Sequence, residues 1–178
     1  MLQIPQLTTE RLHLRCFKPV DFDAYAEMMA NPDVVRYLGA GVPLSRADAW
    51  RQMAMLMGHW VLRGYGVWAV EERATGRFLG RIGCMNQEGF PAFEIAYTLG
   101  PWAWGNGYAR EGAAAALTFA RDVLLRSEIT SIIRPANTAS IRVATSLGAV
   151  PGETVEFFGA PSVLYRYPIF TSPMTRAS

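Results

Sequence analysis

Lysine is almost missing: of the 17 basic residues in this 178-residue chain only Lys18 is lysine, the others being arginine. The bias is read as a habit of the source genome, because the positive charge is nowhere gathered. The 15 acidic residues are interspersed with it and the net charge is only +2. Without a block of like charge, nothing marks a nucleic-acid-binding face or a membrane-surface helix. Histidine is equally scarce, His13 and His59 being the two, and the two cysteines, Cys16 and Cys84, sit in apolar strand patterns. None of these residues has metal-ligand spacing, so no metal is expected, and buried free thiols in a reducing compartment are. Long hydrophobic runs are also lacking: none nears the roughly 18 residues of a membrane span. The start has neither the charged nor the apolar region of a signal peptide, and a soluble cytoplasmic protein is expected. No internal repeat or low-complexity segment occurs.

What the chain does have is core material, 51% hydrophobic residues, enough for one domain of ordinary size. That domain is expected over residues 1–170, with a short, polar, loose tail over 171–178. The most informative stretch runs from Glu94 to Ala120. Ala92 to Leu99 reads as a strand that stops at Gly100-Pro101, since proline has no amide hydrogen for a ladder. Gly105 and Gly107 flank Asn106 in a turn that leaves amide hydrogens bare, and an alanine-rich helix follows from Ala109 to about Leu125. Bare amides at the positive end of a helix dipole form a cradle for an anion such as phosphate. A plain strand-to-helix connection is the alternative, because isolated Gly-x-Gly spacings are common.

Trp104-Gly-Asn-Gly107-Tyr-Ala109 resembles the Arg/Gln-x-x-Gly-x-Gly/Ala signature of the GNAT superfamily of acetyl-CoA-dependent N-acetyltransferases, with Trp104 where Arg or Gln is usual. Asn137-Thr-Ala-Ser140-Ile-Arg-Val-Ala-Thr-Ser-Leu-Gly148 is similar to a motif of the branch containing the ribosomal-protein-alanine acetyltransferases, and Thr9-Glu-Arg-Leu-His-Leu-Arg15 to that branch's first strand. These motifs cover residues from about 7 to 168 in the family's order. The resemblance implies an α/β (α+β) GNAT fold: a mixed, mostly antiparallel sheet of about seven strands with a splayed parallel pair at its centre, and about four helices. It implies acetyl-CoA as co-substrate. The diphosphate would sit on Trp104, Gly105, Asn106, Gly107, Tyr108 and Ala109, the thioester arm on the main chain of Tyr97, Thr98 and Leu99, and the pantetheine arm near Asn137.

Elsewhere the reading is local. Leu12, Leu14 and Cys16 alternate with His13, Arg15 and Phe17, so the latter set is expected on the polar side of a first strand. Asp21 is expected to cap a helix to about Ala30, and Asp33 a short turn through Tyr37. Arg36 and Tyr37 are expected either to reach a substrate groove or to remain surface contacts. Ser45 and Asp48 open a second long helix that ends near Arg63 with Gly64 as its cap. Trp50, Met53, Ala54, Met57 and Val61 are expected to form its buried stripe. Met55, Leu56, His59 and Trp60 then add apolar surface, expected to be covered by a homodimer partner or to line an acceptor pocket. A hairpin of Val67–Glu72 and Phe78 to about Asn86 precedes the Glu94 strand. A parallel strand, Glu128 to Arg134, follows the central helix. A closing hairpin of Thr154–Phe158 and Ser162–Ile169 turns around Gly159-Ala-Pro161.

Acetyl transfer to an amine needs a base, donors for the oxyanion and a proton or donor for the leaving thiolate. Glu94 is the first candidate base, with Glu156 and His59 in reserve and His13 without an orienting neighbour; the amide of Leu99 or a neighbour is the oxyanion donor. The tyrosine that commonly serves the thiol is replaced here by Ala144, and the resemblance assigns that part to Ser140. Free α-amines titrate near 7.7 to 8.0 against about 10.4 for lysine, so they deprotonate more easily by roughly 3 kcal/mol. An α-amine of a protein or a small amine is therefore the expected acceptor. A non-catalytic acyl-CoA-binding or sensing module is the rival reading. A dinucleotide-binding enzyme is excluded, since several strands precede the glycine turn.

Overall fold

The turn glycines and the short alternating segments fold into one sheet with helices on both faces, as seen in a computed structural model that describes residues 4–168. Ile169, expected in the last strand, and the tail 171–178 lie outside the described residues. Among the described residues the strands are β1 Leu7–Thr8, β2 Leu12–Arg15, β3 Val67–Glu72, β4 Phe78–Met85, β5 Glu94–Leu99, β6 Thr130–Ile133, β7 Val150–Phe157 and β8 Ala160–Arg166. They form an 8-stranded sheet in the order β1-β2-β3-β4-β5-β6-β8-β7. The α-helices are α1 Phe22–Ala30, α2 Pro32–Val35, α3 Arg46–Arg63, α4 Tyr108–Asp122 and α5 Thr138–Ser146. The two elements beyond expectation, β1 and α2, are too short to show a period in the sequence.

All pairings are antiparallel except β5 with β6, which is parallel and holds a single registered pair, Glu94↔Thr130. Beyond that pair the two strands part. The α4 side of the sheet is packed by Ala113, Ala116, Phe119 and Ala120 against Leu12, Ile82, Cys84 and Ile95. Small residues let α4 approach closely: a Cβ on Gly112 would stand 2.5 Å from Ile82 Cδ1. On the other face α1 and α3 bury Tyr25, Met28, Met29, Met53 and Leu56. Each fully buried aliphatic side chain contributes about 1.5–3 kcal/mol, which makes these two layers the main source of stability.

Several local readings change. Arg15, expected on the polar side of β2, is only 6% exposed. It donates to Asp21 in bidentate fashion at 2.7 and 2.8 Å and to Glu71 at 2.7 Å, so a paired charge is buried where alternation placed an exposed one. Asp21 is spent on Arg15 and on the Lys18 amide, and does not cap α1. Phe17 is buried and Cys16 half-buried, the reverse of the expected alternation, because the strand ends at Arg15. Asn31, and not Asp33, caps α2, accepting from the Asp33 amide at 2.9 Å. In α3 the buried face is Ala49, Met53, Leu56, His59 and Trp60. Of the expected stripe, Trp50, Ala54, Met57 and Val61 are exposed. The last hairpin turns at Phe158-Gly159, with φ of 51° and 68°, so Ala160 and Pro161 belong to β8. Pro161 lies ahead of the β6 pairing, which begins at Val163, and so removes no ladder bond on that side.

Candidate active site

Where β5 and β6 separate, side chains and main chain from both meet a cavity of about 240 Å³. Glu94 is 8% exposed, on its wall. Its Oε2 accepts the Ile132 amide at 3.2 Å, in place of the ladder bond the splay removes. Burial pushes its carboxyl up from 4.5 to about 7, with the Ile132 amide and the positive charge of Arg81 opposing that shift. A carboxyl held near neutrality can take a proton and give it back.

Ser131 Oγ donates to Ile95 C=O at 2.7 Å and the Trp104 indole donates to Leu99 C=O at 2.8 Å, so Ile95, Tyr97 and Leu99 turn their main chain toward the opening. Thr98 turns its main chain to β4, opposite Arg81, and borders the cavity with its side chain. The Tyr97 hydroxyl donates to Ser140 C=O at 2.8 Å. Asn137 caps α5 by accepting the Ser140 amide at 3.2 Å, and Asn137 and Ser140 both border the cavity. Glu94, Tyr97, Ser140 and Asn137 are thus brought together.

The turn before α4 has the geometry of an anion cradle. Gly105 and Gly107 both have φ of 77°, in the left-handed region that favours glycine, and residues 104–107 are exposed. The first helical bond is Glu111 N–H to Gly107 C=O at 3.1 Å, which leaves the amides of Tyr108, Ala109 and Arg110 without helical acceptors. Arg11 braces the turn, donating to Asn106 C=O at 2.9 Å and to Glu111 at 2.7 Å, and Thr9 donates to Glu111 at 2.6 Å. The Asn106 side chain donates to Trp104 C=O at 2.9 Å. The Tyr108 hydroxyl is tied to Glu72, so what Tyr108 offers the turn is its amide.

The family model described as an acetyltransferase (GNAT) domain matches residues 11–150. The chain belongs to the GNAT family of acetyltransferases. A Bacillus subtilis protein, YkkB, is 33% identical over 168 residues, covering 90% of this chain and 94% of that protein. A crystal structure of an acetyltransferase from Agrobacterium tumefaciens superposes with a TM-score of 0.84 at 30% identity, covering 94% of this chain and 96% of that one. A ribosomal L7/L12 α-N-protein acetyltransferase solved with coenzyme A shares the fold, with a TM-score of 0.74 at 16% identity, covering 92% of this chain and 96% of that one.

In this GNAT protein Trp104 fastens the cradle to the end of β5 through its indole. The reserve bases lie elsewhere. His59 is buried between Tyr65 C=O at 2.7 Å and the Asn86 amide at 3.3 Å, Glu156 is exposed on β7, and His13 meets Thr8 at 3.1 Å; none of the three borders the cavity. Tyr37 does border it, whereas Arg36 pairs with Asp33 at 2.6 Å on the surface. Cys84 is buried, its thiol pushed up to about 12, and is no nucleophile. Sequence reasoning missed Arg81, Ser131 and Tyr167. The Tyr167 hydroxyl donates to Ser131 at 2.9 Å beneath the splay, and burial pushes it up to about 12. Their signal was faint, since one arginine in an apolar strand looks like alternation. No group of three or more metal-ligating side chains exists among the described residues.

Proposed function

We propose that this protein moves the acetyl group of acetyl-CoA to a primary amine by direct attack in a ternary complex, within one domain spanning residues 1–170. The observation that carries the reading is Glu94, a buried carboxyl held near neutrality at the mouth of the strand splay. In this reading the amides from Gly105 to Ala109 hold the diphosphate. The main chain of Tyr97, the amide of Leu99 and the region of Asn137 hold the arm, and the fit is supported by the bare amides and by the cavity where β5 and β6 separate. Glu94 takes the proton of the ammonium, directly or through water, so that the neutral amine attacks the thioester carbonyl. A main-chain amide facing the splay, that of Leu99 foremost, stabilises the oxyanion. Ser140, which borders the cavity, gives a proton or a hydrogen bond from its hydroxyl to the departing sulfur. The acceptor is a protein N-terminal α-amine or a small-molecule amine. The exposed face of α3 carrying Trp50 and Val61 is where this reading puts a homodimer contact.

Release of free thiol from acetyl-CoA over a panel of amines tests the proposal. Wild type is expected to turn over at least one amine, with Ser140→Ala slower in kcat by about 10- to 100-fold. Binding of acetyl-CoA without thiol release on any amine would favour the sensing module.

A further inference from the structure

Arg81 stands in the middle of β4, 7% exposed, and borders the same cavity. Its Nε is buried with no hydrogen-bond partner among the described residues. The one bond its side chain makes there is weak, Nη1 donating to Met85 Sδ at 3.8 Å. A buried guanidinium left this way is costly, since each unmade donor forfeits its hydration. Proteins bury arginine against carboxylates, as this one does with Arg15, yet Arg81 has no ion pair among the described residues. The other guanidinium at the cavity, Arg134, is occupied by the Gly39 and Arg36 carbonyls.

The strand register fixes what lies between Arg81 and the candidate base. Arg81 is opposite Thr98, Gly83 opposite Ala96 and Met85 opposite Glu94, all on one face. On β5 the position between the charges is Ala96, whose small side chain borders the cavity, whereas at Gly83 the neighbouring Gly66 C=O already fills the place of a side chain. Apolar side chains surround the cavity, with Phe90 packed edge to face on Phe157 at a centroid distance of 4.8 Å and Phe158 tilted against Phe157 at 4.4 Å. At about 240 Å³ the cavity lies below the roughly 300–1,000 Å³ of drug-sized ligand sites, which suits a small acceptor.

We propose that the acceptor amine carries a carboxylate, which Arg81 binds while Glu94 faces the amine, so that the substrate class is a small aminocarboxylate with an apolar or aromatic body. This rests on the acetyl-transfer reading above. Two sources offer the same chemistry: a free amino acid, and a peptide N-terminus with an acidic second residue.

The test compares each of the twenty amino acids with its carboxamide, and a series of aminoacyl-aspartate amides with the matching aminoacyl-asparagine amides, by thiol release from acetyl-CoA. For one source, kcat/KM is expected to favour the carboxylate by about 10- to 100-fold, the size of a charge-assisted bond. Arg81→Met should abolish that preference, the acid falling to the level of its own neutral amide within the same variant, and Arg81→Lys should restore part of it. Calorimetric binding of the N-acetylated products, acid against amide, reads the same preference without turnover and needs only wild type should the variants fail to fold. An acid preference in binding with no thiol release on any amine would sink the acetyl-transfer reading and leave the carboxylate site standing. If no acid in either series turned over or bound better than its amide, the proposal would be overturned.

Discussion

Glu94 is a carboxyl placed where its charge is disfavoured, and that one residue sets two expectations. As the base it must be ionised, so kcat/KM should rise with pH to a plateau through an apparent value near 7. Glu94→Gln keeps an acceptor for the Ile132 amide but cannot take a proton. It should lower kcat/KM by about 10²–10⁴-fold and flatten that limb, read from a pH–rate profile of both proteins. The second expectation concerns stability. Since the folded value lies above the ordinary 4.5, the group favours the folded state fully below about 4.5 and loses that contribution as pH rises through about 7. Glu94→Gln should match wild type at pH 4.5 and exceed it by roughly 2–3 kcal/mol at pH 8, in urea unfolding at both pH values. Equal stability of the two at pH 8 would remove the buried-carboxyl argument. Nothing in the strand pattern announces this perturbation. Glu94 alternates like a solvent-facing residue, and its burial comes from the splay and from α1 and α3 packed over that face.

The turn and α4 act as a unit, and here the sequence was most legible. Glycine at 105 and 107, the halt at Gly100-Pro101 and the alanine-rich run all give local signals, and strand, turn and helix followed them to within a few residues. Gly107→Val tests the unit. Its Cβ would meet only Arg11 Nη2 at 3.5 Å, so the cost is backbone strain at a φ of 77°, about 1–2 kcal/mol, together with an obstruction beside the amides. Acetyl-CoA should bind about tenfold more weakly in a calorimetric titration, while the pH dependence carried by Glu94 stays in place. Helix α3 was the least legible element. Methionine, tryptophan and alanine lie all round it, so periodicity alone admitted two stripes, and packing against α1 and β3 chose Ala49, Met53, Leu56, His59 and Trp60. The bracing of the turn by Thr9, Arg11 and Glu111 joins positions about a hundred residues apart. Short-range patterns carry no trace of such a link.

Across the whole molecule, two cores on opposite faces of one sheet meet at a gap in that sheet, and charge is buried where the layers join. Arg15, held by Asp21 and Glu71, ties the end of β2 to the start of α1 and to β3. Arg15→Met would leave two carboxylates without their partner, and the loss should be about 3–5 kcal/mol in denaturant unfolding, far above that of an exposed pair such as Arg51–Asp48. The fold class, the parallel pair and the family were readable because each leaves a local mark. The acceptor site was not, for it is assembled by β4, β5, β6 and the helices above them. The measurement that bears most directly on the account is a crystal structure with coenzyme A bound. It should place the diphosphate within hydrogen-bond reach of the amides from Gly105 to Ala109 and the arm between β5 and β6, with its sulfur near Ser140. Coenzyme A bound elsewhere, with that turn and that gap empty, would contradict it.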